Sequence, residues 1–295
     1  MGYVISIVNM KGGVGKTTVT VNVAACLARD YQKRVLIVDL DTQVNATLSV
    51  MSPLYFAKLK RERRTLKTLV NQTIQADIGH PLTVQEAIYR NVCDLKGLDI
   101  LAGDVDLFDD YLLSALINSK AIANQQSHEK TWNRVENHLM RMILKPILRD
   151  YDVILIDFPP GDNLITRSAL LASHFYLIPA RAEPLSVVGI GQLECRVKQL
   201  KESDRTKVKL IGVAYTARGQ GSNMELKVKQ RLEQEFGQTN IFATEIPQNV
   251  DVAKAVEDHQ PVVINNPKAI GARAFRKLTA EFLQKLVKTI RSKNP

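Results

Sequence analysis

Residues 10–18 read Met-Lys-Gly-Gly-Val-Gly-Lys-Thr-Thr, and these types at this spacing suit a chain of phosphates. Glycines let a loop curl until its N–H groups face one point, and a helix N-terminus behind it adds partial positive charge. Lys16 is placed to reach β- and γ-phosphates, and the Thr17 hydroxyl to ligate Mg²⁺. Gly12, Gly13, Val14, Gly15 and Thr18 complete the cradle. The run departs from the usual G-x-x-x-x-G-K-[ST] loop: Met10 stands at the first glycine, and a second lysine, Lys11, opens the run. Three carboxylates belong to the same chemistry. Asp39 and Asp41 follow one apolar run, in Asp-Leu-Asp-Thr-Gln-Val-Asn-Ala-Thr, and Asp157 ends another, followed by Phe158-Pro159-Pro160-Gly161. A carboxylate at a strand tip can bond Mg²⁺ through water or through the loop threonine.

These residues need a scaffold that brings loop ends together. Short, nearly all-apolar, β-branched runs recur at 4–9, Val35–Asp39, Val153–Asp157, 175–179, 208–215 and 241–246, as strands buried on both faces of a parallel sheet do. Helical patterns such as 17–29 and Asn223–Phe236 separate most of them. The alternation predicts an α/β fold, a doubly wound and mostly parallel sheet flanked by helices. Such a sheet gathers its sites at the carboxyl ends of the strands. Between residues 52 and 150 only Leu98–Leu101 reads as a strand, and 112–122 and 132–148 read as helices. That region is expected to be a mostly helical elaboration of one domain spanning 1–295. It carries a basic run at 58–67, with Lys58, Lys60, Arg61, Arg63, Arg64 and Lys67 against Glu62 alone.

Composition narrows the function classes. Apolar residues are 45% of the 295, enough for a sizeable core, and the net charge of +10 favours an acidic partner, nucleic acid or an anionic surface. Cys26, Cys93 and Cys195 lie far apart, with no CxxC and no zinc spacing, which fits a reducing cytoplasm. No apolar run reaches 18 residues, and the N-terminus lacks the basic region and cleavage site of a signal peptide.

The lysine-opened phosphate loop, the Asp39–Thr47 segment and Asp157-Phe158-Pro159-Pro160 together resemble the deviant Walker A ATPases of the ParA/MinD family, most closely the ParA-type partition ATPases. Further matches run along nearly the whole chain: residues 177–179, 183–193, Ile246-Pro247-Gln248-Asn249-Val250, and the segment from Pro261 to Phe275. The resemblance implies a P-loop NTPase fold, slow Mg²⁺-dependent ATP hydrolysis, and a homodimer in which Lys11 reaches the partner's ATP. It implies that Asp41 positions the attacking water. Thr17 and Asp157 would serve Mg²⁺, Asp39 would touch its shell or the loop, and Pro247 and Val250 would pass the adenine. It further implies sequence-independent DNA binding in the ATP state, a ParB-like adaptor that stimulates hydrolysis, and a cytoplasmic, nucleoid-associated protein.

Two departures redirect the DNA expectation. Gln248 and Asp251 stand where many partition ATPases carry DNA-contacting arginines, and a phosphate loop opening at residue 11 leads us to expect no helix-turn-helix ahead of it. The alternative patch is residues 268–295, with Lys268, Arg273, Arg276, Lys277, Lys285, Lys288, Arg291 and Lys293 against Glu281 alone. Such a patch suffices for phosphate-backbone contact. A rival reading is a MinD-like membrane-surface switch. Leu278, Phe282, Leu286 and Ile290, flanked by Phe275, Leu283 and Val287, make an apolar stripe over a basic face, although the same stripe serves equally as a packing face. The wide cysteine spacing argues against a metal-cluster ATPase.

The phosphate loop generates the first prediction. Lys16→Ala removes the main charge on the β- and γ-phosphates and is expected to abolish ATP binding in isothermal titration with Mg²⁺. Wild-type affinity in the variant would refute the loop's assignment.

Overall fold

The computed structural model describes residues 2–75, 81–107, 110–217 and 222–291. Six strands form one sheet: β1 (Tyr3–Ile7), β2 (Val35–Asp39), β3 (Leu98–Leu101), β4 (Val153–Asp157), β5 (Phe175–Ala180) and β6 (Lys209–Tyr215). Their order is β3-β2-β4-β1-β5-β6, and every named pairing is parallel. The alternation of side chains sorts each strand between two cores. Leu36, Val38, Ile154, Ile156, Tyr176 and Ile178 face one layer, and Val35, Ile37, Val153, Leu155, Phe175 and Leu177 the other.

The second layer is built by α1 (Lys16–Tyr31), α2 (Asn45–Leu48) and α3 (Pro53–Arg61), with α11 (Val250–Glu257), α12 (Val262–Asn265) and α13 (Ile270–Arg291). The first layer is built by α4 (Leu66–Gln75), α5 (Val84–Ala87), α6 (Asp110–Ala123), α7 (His128–Leu144), α8 (Leu164–Ala172), α9 (Pro184–Glu202) and α10 (Asn223–Phe236). The 52–150 region is therefore mostly helical, as its sequence predicts, and supplies the edge strand β3 together with α3 through α7.

The topology positions the site. β4 lies between β1 and β2, in register with Ile7 on one side and Asp39 on the other through Asp157. The loops leaving β1, β2 and β4 therefore emerge side by side at the carboxyl edge.

Residues 241–246 do not form the strand their composition predicts. Ile241 makes a single parallel bridge to Val213, and Phe242 and Ile246 donate to the carbonyls of Val213 and Tyr215. Between them, the N–H groups of Ala243 and Thr244 turn to the Glu281 carboxylate on α13, at 2.8 and 2.9 Å. A side chain from the helical layer takes the bonds that a continuous ladder would need.

The stripe on α13 faces inward. Phe275, Leu278, Phe282 and Leu286 are buried in the core beside α1, while Leu283 and Ile290 pack at its margin. Only Val287 of the seven is strongly exposed, at 43%. This removes the feature that carried the membrane-surface reading. Among the described residues, no helix is long and apolar enough to cross a membrane. Phe282→Ala is expected to cost about 3–5 kcal/mol of unfolding free energy, read by denaturant titration. A loss under about 1 kcal/mol would show that the stripe is not core.

Candidate functional site

The phosphate loop starts where β1 ends. Asn9 donates from its side chain to the Pro179 carbonyl at 2.8 Å and accepts the Lys11 N–H at 2.9 Å, which fixes the loop's first turn. Gly13 and Gly15 hold φ of +71° and +79°, the left-handed region that a Cβ disfavours. Thr216, beyond β6, donates to the Val14 carbonyl at 2.8 Å and braces the far side. Gly15 then opens α1. A cleft of about 630 Å³ lies over this turn. Gly12, Gly13, Gly15, Lys16, Thr17 and Thr18 form one wall, and Asp41, Thr42, Gln43, Asn45 and Ser49 the second. Pro159, Pro160, Asn163 and Val256 complete it.

Lys16 is buried, and its Nζ donates to the Lys11 carbonyl at 2.9 Å. Burial pulls its pKa down, opposed by the charges of Asp157 and Asp41. Thr17 Oγ1 donates to Asp157 Oδ2 at 2.7 Å, and Thr20 Oγ1 to Asp157 Oδ1 at 2.8 Å. Asp157 is fully buried, and burial with the neighbouring Asp39 raises its pKa, while the two hydroxyls and Lys16 oppose the rise. Thr17 reaches the cleft and Asp157 does not. By accepting the hydroxyl proton, Asp157 leaves the Thr17 oxygen's lone pairs for a cation. Among the described residues no group of three or more His, Cys, Asp or Glu is disposed to hold a metal. The donor set fits Mg²⁺ that arrives with phosphates and takes one hydroxyl from the protein.

Asp39 does not line the cleft. It is fully buried, and its oxygens are taken by the Asp41 N–H at 3.0 Å, the Thr47 N–H at 2.8 Å and the Thr47 hydroxyl at 2.7 Å. Of the two roles expected for it, the structure supports the loop contact. Burial raises its pKa against those three bonds. Asp41 lines the cleft and accepts the Gln43 N–H at 2.9 Å, so its carboxylate is aimed by its own turn. That turn ends at Val44, whose φ of +49° and ψ of +33° are rare for a β-branched residue and cost about 1–2 kcal/mol.

Lys11 does not point at its own cradle. Its ammonium pairs with Glu183, the N-cap residue of α9, and this contact together with Arg181 holds the Glu183 carboxyl below its usual range. Pro247 and Val250 do not line the cleft; Val256, two turns along α11, does. Sequence reasoning also passed over Thr20, Asn163 and Glu183. Thr20 was legible as a hydroxyl one helical turn past Lys16. Asn163 was legible as the cap of α8, where it and Thr166 bond reciprocally.

Of the expected DNA contacts, Lys268, Arg273 and Lys277 are exposed, whereas Arg276 is half-buried against Asp30 of α1. Lys285 is held by the Thr239 carbonyl and lies over the Phe242 ring, and Lys293 lies outside the described residues. In the 58–67 run, Lys58, Lys60, Arg64 and Lys67 pair with Glu62, Asp104 or Asp106.

The sequence profile of an AAA domain family matches residues 2–210. The sporulation initiation inhibitor protein Soj of Bacillus subtilis is 30% identical over 281 residues, covering 95% of this chain and 98% of that protein. The chromosome partitioning protein ParA of Myxococcus xanthus is 26% identical over 285 residues, covering 97% and 89%. Among solved structures, the cell division ATPase MinD of Pyrococcus furiosus superposes with a TM-score of 0.68 at 24% identity, covering 97% of this chain and 100% of that one. An ATP complex of a Cyanothece McdA variant superposes with a TM-score of 0.72 at 18% identity, covering 96% of each. These two likenesses speak to the fold. With the lysine-opened loop, the converging carboxylates and a relative matched almost end to end, the chain belongs to the ParA/MinD family of P-loop ATPases.

Proposed function

We propose that this chain is a partition-type ATPase that closes into a homodimer on Mg-ATP, binds DNA without regard to sequence in that state, and lets go after slow hydrolysis. The observation that carries this reading is the division between the two lysines. Lys16 is committed to the loop's interior, while Lys11 sits on the rim, paired with a half-exposed glutamate. Exchange of Glu183 for a second chain's phosphates strands no buried charge, because the Glu183 carboxylate, 42% exposed, stays hydrated when Lys11 leaves it. Each nucleotide would then be neutralised from both subunits, and ATP would act as the link between them.

Within that dimer the residues divide the chemistry. The backbone of residues 11–18 and Lys16 bind the phosphates, Thr17 ligates Mg²⁺, and Asp157 orients Thr17. Asp41 orients the attacking water. Mg²⁺, when bound, would neutralise phosphate charge. A ParB-like partner would stimulate the step, and the protein would be cytoplasmic and associated with the nucleoid. The relatives' roles in chromosome partitioning support the assignment of cargo movement.

DNA contact falls on α13. Arg273, Lys277, Gln284, Lys288 and Arg291 are exposed and spaced so that they fall on one face of the helix. The row spans about 27 Å at the α-helical rise. A dimer presents two such rows, so dimerisation raises affinity by avidity.

Two measurements test the reading. Lys11→Ala is expected to stay monomeric in light scattering with a non-hydrolysable ATP analogue while still binding that analogue; a variant that dimerises as wild type does would refute the shared-nucleotide dimer. Changing Arg273, Lys277 and Lys288 together to Glu is expected to abolish gel shifts of two unrelated duplexes and spare the ATP-dependent dimer. Wild-type affinity should fall with a slope of roughly −0.9 in log K against log salt for each phosphate neutralised. Binding that is equal without nucleotide, or strongly selective for one duplex, would count against it.

A further inference from the structure

The turn after β4 forms one edge of the cleft through Pro159, Pro160 and Asn163. Little in its backbone holds it. Two prolines lack N–H groups, and Gly161 adopts a φ of +110° with nothing within 4 Å of where a Cβ would stand. Among the described residues, no backbone hydrogen bond involves residues 159–162. Among the described residues, the polar tether of residues 159–162 is one side chain, Asp162. Arg167 of α8 grips it with both ends of its fork, Nε to Oδ1 at 2.8 Å and Nη2 to Oδ2 at 3.2 Å, and Arg196 of α9 adds a further bond to Oδ2. The three side chains are only 26–31% exposed, so water screens them less than an ordinary surface pair.

The chain of charge continues inward. Arg167 Nη1 also reaches Glu136 of α7 at 3.4 Å, and Glu136, with 5% of its side chain exposed, accepts from Arg205 at 2.5 Å. Arg205 in turn donates to Asn137 at 2.7 Å. Three guanidiniums and two carboxylates thus connect α7, α8, α9 and the turn before β6 to the rim of the cleft.

We propose that Asp162 is a positioning residue of the ATPase site: clamped by Arg167 and Arg196, it fixes the turn that follows Asp157 and so sets where Pro159 to Asn163 face the nucleotide. The proposal rests on the ATP-hydrolysing reading above. The phosphate cradle of residues 11–18 is built without Asp162, so loss of the clamp falls on the transition state rather than on ground-state binding.

Steady-state kinetics with Mg-ATP and amide exchange without nucleotide, on the full chain, test it. Asp162→Ala is expected to lower kcat by about tenfold to a hundredfold with KM changed by less than about twofold. Asp162→Glu, which restores the carboxylate, should recover most of kcat. The amides of Phe158 and Asn163, which donate to the Ile7 carbonyl and the Thr166 hydroxyl on either side of the turn, should exchange about tenfold faster in the alanine variant. Should Asp162→Ala fail to fold, Arg196→Ala leaves both partners of Glu136 in place and should move kcat and exchange in the same direction. Wild-type kcat in the folded variant, kcat and KM shifting together, or unchanged exchange would overturn the proposal. If the wild-type chain hydrolyses no ATP, the functional reading fails, and the exchange measurement judges the clamp by itself.

Discussion

Asp157 sits at the end of β4 with no exposure to water, and both its oxygens are taken by hydroxyls of α1. An ionised carboxylate without such bonds would cost several kcal/mol to bury. The two hydroxyls, with Lys16 nearby, offset that cost only if Thr17 and Thr20 both face the sheet. Their three-residue spacing puts them on one side of the helix and so fixes its rotation. With α1 turned in this way, the preceding glycines must take left-handed turns to join it to β1. The shape of the phosphate loop therefore follows from how one buried charge is solvated.

The same constraint explains which parts of the molecule were legible in sequence. Strands β1, β2, β4 and β5 feed two apolar cores, so their runs are nearly all apolar and stand out. The phosphate loop is legible because its chemistry is local: glycines, lysine and threonine act within a few residues of one another. Residues 241–246 were misread because the partner that interrupts their ladder, Glu281, is far away in sequence. The strand-end place of Asp39 leaves a contact with the Mg²⁺ shell or with the loop equally open in sequence. Its commitment to Thr47 depends on the fold of a loop that turns through a valine with positive φ, and no valine announces that in sequence. The Asp162 clamp was invisible for the same reason: Glu136, Asp162, Arg167, Arg196 and Arg205 come from four separate segments.

Burial sorts the charges of this protein into two kinds. Asp39, Asp157 and Lys16 are enclosed and bonded, and each would leave a partner stranded if it moved, at a cost of about 1–3 kcal/mol or more. They define a fixed frame. Lys11 and the outer row of α13 remain in contact with water, where an ion pair contributes little and salt screens it. Those groups can exchange partners at small cost.

That division is what an ATP-operated switch requires of its parts. A lysine as deeply enclosed as Lys16 could not leave for a second subunit without breaking the loop that holds it. In the proposed dimer, a second subunit's triphosphate would compete for Lys11 with more negative charge than Glu183 carries. The lysine that opens the phosphate loop thus sits paired to a hydrated carboxylate of its own chain, as the proposed exchange to a second subunit's nucleotide requires. The glycines that follow it let the loop satisfy Lys16 without using Lys11 at all.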